Sequence, residues 1–151
     1  MNPQSTNQND PKGNIELRIR TMRTLWIGMF SSVVAYYVFT LFSGRSANLT
    51  PNSKLSLTLA VAGLLVTLIS FPIKNSLLAR AVEQRQVQRV QQGYVVAWAI
   101  TDVAALLGIL DFFLTSNRYY YVLFIIAACG LLLHFPRRDP VLDASFKRPM
   151  F

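Results

Sequence analysis

The chain has 151 residues, 52% of them hydrophobic and only 15% charged, with a net charge of +8 and a mean hydropathy of +0.35. The length suits one compact unit, and a composition this apolar excludes an ordinary soluble domain. The Lys and Arg residues lie between long apolar runs, which is the pattern of membrane orientation and argues against nucleic acid as a partner.

Residues 1–13 are polar, carry Pro3 and Pro11, and have nothing to bury, so they are predicted to be disordered. Residues 14–23 interleave Ile15, Leu17, Ile19 and Met22 with Arg18, Arg20 and Arg23, a basic lead-in suited to lipid headgroups. Four apolar stretches follow, at about 24–44, 55–73, 93–115 and 119–136. At ~1.5 Å rise per residue each is long enough to cross a hydrocarbon core of about 30 Å. Backbone in lipid must satisfy its own hydrogen bonds, so each is predicted to be a helix. The first run exceeds the apolar core of a signal peptide and is read as a retained span.

The first connection holds Gly44, Asn48, Pro51 and Asn52, a turn composition, and the third is the short hairpin Ser116-Asn117-Arg118. The middle connection, 74–92, has no proline or glycine and mixes Leu77, Leu78, Ala81, Val82, Val87 and Val90 with charged residues and glutamines. It is predicted to be helical, extending its neighbours or lying on the surface, with Pro72 kinking the end of the second span. Residues 137–151 form a basic tail. Twelve Lys and Arg residues fall in the N-terminal tail, the middle connection and the C-terminal tail, against three (Arg45, Lys54, Arg118) on the other side. This asymmetry predicts both termini on the cytoplasmic side of an inner membrane. Trp26, Tyr94, Trp98 and the run Tyr119–Tyr121 sit where aromatic belts are expected, and His134 reads as an interfacial residue beside Arg137 and Arg138. The single cysteine, Cys129, excludes an intramolecular disulfide and reads as a small buried hydrophobe.

Projected at 100° per residue, Ala97, Thr101, Ala104, Gly108, Asp111 and Thr115 share one face of the third span. Ser56, Ala60, Gly63, Thr67 and Ser70 share one face of the second. Both sets follow a 4-3 alternation of small residues, which lets helix backbones approach closely and predicts an antiparallel pair along this seam. Asp111 lies on the seam near the outer end, within reach of Thr115, of a neighbouring helix, or of Arg118, Arg45 or Lys54. Asp102 lies near mid-span on the opposite side, and no Lys or Arg shares an apolar run with it. An ionised carboxylate there costs a few kcal/mol, so Asp102 is expected to be protonated or held by neutral groups such as Ser31, Ser32, Tyr36 or Tyr37.

The stretch Ala99-Ile-Thr-Asp102-Val-Ala-Ala-Leu-Leu-Gly108-Ile-Leu110 resembles the carboxylate-bearing helix of the rotor proteolipid, subunit c, of rotary ATP synthases. Gln84-Arg85-Gln86 then stands where that family has its polar Arg-Gln-Pro loop. The resemblance implies a proton- or sodium-binding role for Asp102. The chain departs from the family in lacking the loop proline, in having only Gly63 where the family's inner helix repeats glycine, and in carrying extra spans on both sides of the hairpin. The wider likeness is to small bacterial four-span membrane proteins of unknown role.

The sequence therefore predicts an all-α, four-helix transmembrane up-and-down bundle, with the lipid bilayer as its first partner. No phosphate loop, metal pair or nucleophile–histidine–acid set is present, so neither an enzyme nor a cofactor-binding protein is expected. The expected role is helix association, with a second copy or with a larger membrane complex. The alternative is an ion-binding element built on Asp102.

Overall fold

The computed structural model describes residues 11–44, 52–84, 86–115 and 117–146. The side chains of residues 11–14 and 145–146 are not described. Most of the predicted disordered tail, the first connection and the end of the basic tail lie outside these ranges, as do Arg45, Asn48, Pro51, Arg85 and Ser116.

The fold is all-helical, with no strand among the described residues. The helices are α1 (Pro11–Phe42), α2 (Ser53–Glu83), α3 (Val87–Thr115), α4 (Tyr121–Leu133) and α5 (Asp139–Phe146). A single 3-10 turn, Arg118–Tyr120, leads into α4. Helices α1, α2 and α3 are long and apolar enough to cross a membrane. With 32, 31 and 29 residues they run about 44–48 Å, well beyond a hydrocarbon core of about 30 Å.

Helix boundaries follow local chemistry. Pro11 opens α1, where a missing N–H costs nothing because first-turn amides have no intrahelical acceptor. Asn52 caps α2 by accepting from the Leu55 amide at 3.1 Å, and Asn117 caps the 3-10 turn by accepting from the Tyr119 amide at 3.3 Å. The helical middle connection is resolved as extensions of α2 and α3, with only residues 84–86 between them. Pro72 lies inside α2.

The fourth helix is shorter than the sequence suggested. It holds 13 residues, about 20 Å, and gives way to irregular backbone from His134 onward. The physical reason is Pro136, which disfavours helical geometry at Phe135 and lacks an amide of its own. Beyond it the basic tail is not featureless. Asp139 and Pro140 start α5, and the Arg138 carbonyl accepts from the Val141 and Leu142 amides at 3.1 Å. Val141 and Ala144 turn inward and are buried.

Helices α2 and α3 form the most extensive pair, running antiparallel. The Asn52 amide donates to the Thr115 carbonyl at 3.1 Å and so ties the start of one to the end of the other. Helix α4 lies against both, and α1 packs on α3 and α4 but has no comparable interface with α2. The consecutive helices α1 and α2 thus sit at opposite corners.

The small-residue faces explain this arrangement. Ser56, Gly63, Thr67, Ala97, Thr101, Ala104, Gly108, Asp111 and Thr115 are buried, and Ala60 is half-buried. Yet the faces do not serve the α2–α3 pair alone. A Cβ on Gly63 would collide with the tip of Leu123 of α4 and touch Ala104 of α3. A Cβ on Gly108 would come within 3.0–3.2 Å of Phe124 and Leu123. From the other side, a Cβ on Gly130 would meet the methyls of Thr101 and Thr67 at 2.6 and 2.7 Å. Helix α4 is therefore bedded in the groove between α2 and α3.

Gly130→Ala is expected to destabilise the fold by about 1–3 kcal/mol, because the β-branched Thr67 and Thr101 cannot swing aside. Gly28→Ala, on a face of α1 with nothing within 4 Å of the added methyl, should stay within about 0.5 kcal/mol of the parent. Unfolding midpoints in one detergent would compare the two.

Candidate functional site

Polar side chains inside an apolar bundle are the candidates for function, and they fall into three groups. The first surrounds Asp111, which is 1% exposed. Ser56 of α2 donates to Asp111 Oδ2 at 2.8 Å, and Thr115, one turn on, lies 2.7 Å from Oδ1. Thr115 also lies 2.9 Å from the Asp111 carbonyl and accepts from the Asn117 amide at 3.2 Å. Both carboxyl oxygens are thus met by hydroxyls from two helices, where the sequence had left Lys54 and Arg118 open as partners. This group locks the start of α2 to the end of α3.

The second group was not foreseen. His134, read from sequence as interfacial, is fully buried where α4 ends. Ser70 of α2 lies 2.6 Å from its Nε2 and 2.6 Å from the Thr67 carbonyl, an acceptor only. Ser70 has one hydroxyl proton for these two contacts; with that proton on the Thr67 carbonyl, the imidazole donates from Nε2 and Nδ1 is left as an acceptor. Among the described residues no partner meets Nδ1, nor the buried Thr67 Oγ1. The Phe71 ring lies 4.3 Å from the imidazole, centroid to centroid. Thr101 sends its hydroxyl back to the Ala97 carbonyl at 2.9 Å and reaches Ser70 only at 3.5 Å.

Three aromatic residues complete this group. Trp98 donates to the His134 carbonyl at 3.0 Å, and Trp26 donates to the Leu131 carbonyl at 2.8 Å. The Tyr94 hydroxyl accepts from the Arg137 amide at 3.3 Å. The last carbonyls of a helix lack intrahelical donors, and an indole N–H can only donate. Trp98 and Tyr94 are 1% and 2% exposed, so they serve the interior rather than an aromatic belt. The sequence held one signal for this: a proline two residues after a histidine, with two tryptophans available as donors.

The third group is Asp102 at the edge of α1. It is half-buried, and its Oδ1 is enclosed without a partner among the described residues. Ser32 of α1 is the polar side chain that approaches the carboxyl, and its own hydroxyl lies 2.7 Å from the Met29 carbonyl. Asp102 and Asp111 therefore sit in unlike settings on one helix, the first under-satisfied and partly open, the second closed and fully met.

Among the described residues no three His, Cys, Asp or Glu side chains gather to hold a metal ion. Cys129 is exposed on the outer face of α4, not buried as predicted. An apolar run in a membrane helix does not distinguish its lipid side from its protein side.

Comparison with protein families, curated proteins and solved structures finds no match in any of the three. No resemblance to the rotor proteolipids is shown, and the local likeness around Asp102 rests on its dozen residues alone.

Ser56→Ala should cost about 1–3 kcal/mol, because it strips a donor from a buried carboxyl group. Trp98→Phe should cost a similar ~1–3 kcal/mol by orphaning the His134 carbonyl. Thr58→Ala, whose hydroxyl only back-bonds to Lys54 on an exposed face, should change nothing measurable. Chemical denaturation in mixed micelles reads all three.

Proposed function

We propose that this protein works within a membrane by helix association, through the outer face of α1. The observation that carries this reading is the two-sidedness of α1. Ile19, Met22, Val33 and Thr40 face the bundle and are buried, while Thr24, Gly28, Ser31 and Ala35 lie on the opposite side and are exposed. Their 4-3-4 spacing repeats the arrangement by which α2 and α3 approach each other and admit α4. Leucine or isoleucine would suffice against lipid; small residues gain something only from a second backbone. The positive-charge asymmetry, twelve against three, supports both termini on the cytoplasmic side of an inner membrane.

A second reading rests on a different observation, the open, under-satisfied carboxyl of Asp102 beside Ser32. A neutral acid in that setting can take up and release a proton or a sodium ion, which makes Asp102 the candidate titrating group of an ion-handling element.

The two readings separate experimentally. In a Cys129→Ser background, Gly28→Cys, Ser31→Cys or Ala35→Cys should give a crosslinked product in native membranes, as a dimer or as an adduct with a larger protein. Adding Gly28→Leu to the Ser31→Cys variant should abolish that product without lowering the unfolding midpoint. Failure of all three cysteines to crosslink would refute association through α1. Asp102→Asn should leave crosslinking intact. If it also abolishes a pH- or sodium-dependent reaction with a hydrophobic carbodiimide, the ion reading gains; if no such reaction exists in the parent, that reading falls.

A further inference from the structure

The first turns of α1 and the linker between α4 and α5 are far apart in sequence but enclose an open groove of about 410 Å³. Glu16, Ile19, Arg20 and Arg23 line it from one face of α1, at the i, i+3, i+4 and i+7 positions that align on a helix. Arg138 closes the opposite side, and Leu17 borders it. Three guanidinium groups thus face one carboxylate, an excess of two positive charges. The groove is held by structure on both sides. Ile19 is buried at its base, and Arg138 is fixed by the start of α5, whose Val141 and Ala144 are buried.

Its depth is set by aromatic residues. The Arg23 guanidinium lies 5.8 Å from the centroid of the Phe135 ring, and Phe135 packs edge-on against Trp26 at 5.1 Å. Uncharged sequence begins at Thr24, immediately below. The groove therefore opens where the apolar part of the bundle ends, which is the depth of the lipid phosphates for a bundle set in a bilayer. Leu17 and Phe135, 63% and 42% exposed, offer apolar contact at its rim. Arg138 meanwhile holds Glu16 at 3.3 Å, an exposed pair between side chains 59% and 75% accessible. Exposed pairs of this kind contribute little stability, so a better anion can displace the carboxylate.

We propose that this groove is a binding site for the phosphate headgroup of an anionic phospholipid, held by Arg20, Arg23 and Arg138, with Glu16 as an internal competitor for Arg138. Guanidinium forks match phosphate oxygens in a bidentate manner, and basic pockets at the ends of membrane helices suit such headgroups. Leu17 and Phe135 would meet the glycerol and upper acyl region.

The full chain, reconstituted in phosphatidylcholine bilayers with and without phosphatidylglycerol and then extracted in mild detergent, would be read by native mass spectrometry for retained lipid. The parent should retain phosphatidylglycerol and not phosphatidylcholine. The Arg20→Gln/Arg23→Gln/Arg138→Gln variant should lose it. Arg18→Gln, which removes a nearby charge outside the groove, should keep it. Glu16→Gln should retain more than the parent, a gain that misfolding cannot imitate and that decides the matter if the triple variant does not fold. Equal retention by the triple variant and the parent, equal loss in Arg18→Gln, or no gain in Glu16→Gln would each overturn the proposal. Inorganic phosphate should not reproduce the thermal stabilisation given by phosphatidylglycerol; if it does, the ligand is a free phosphate and the lipid assignment fails.

Discussion

Backbone hydrogen bonding at the end of α4 is the constraint around which the bundle is arranged. Helix α4 stops at Leu133, and the irregular segment that follows has His134 and Pro136 buried in protein. An unpaired carbonyl there, away from water, is costly. Two indoles and a tyrosine hydroxyl bring donors and an acceptor from α1 and α3 to this one turn. The imidazole of His134 is in turn joined to Ser70 of α2. One helix ending thus connects α1, α2 and α3 through specific polar contacts, in a setting where apolar burial alone gives little preference for protein over lipid.

The small residues serve the same end. Gly63, Thr67, Thr101, Gly108 and Gly130 together form a groove and the surface that fits it. Larger side chains at these positions would push α4 away from α2 and α3 and would separate His134 from Ser70. Close packing and polar pairing are therefore coupled: Gly130 contacts Thr67 and Thr101, which flank Ser70 in the same cluster.

Two aspartates on α3 show how strongly position governs chemistry. Asp111 is closed off by hydroxyls from Ser56 and Thr115 and acts as a fastener between α2 and α3. Asp102, nine residues earlier, lies at the thinly packed α1 edge with one oxygen unmet. The least enclosed helix, α1, contributes to each functional proposal: its outer face to association, Ser32 to the Asp102 setting, and its first turns to the arginine groove.

Much of this was legible in the residues themselves. Apolar run lengths defined three long helices, because a backbone in lipid has few alternatives to a helix. The 4-3 alternation marked which faces of α2 and α3 turn inward. Pro136 and the Asp139-Pro140 pair carried the signals for the end of α4 and the start of α5, though they were read as parts of a span and a tail. What sequence could not supply was any relation between distant segments. That Gly108 faces α4 rather than α2, that His134 reaches Ser70, that Trp98 and Tyr94 serve a buried turn, and that Arg138 meets Arg20 and Arg23 all depend on where α4 crosses its neighbours. Periodicity reports which side of a helix is small or polar. Only the tertiary structure decides which helix that side meets, because in an apolar bundle the choice rests on shape and a few hydrogen bonds.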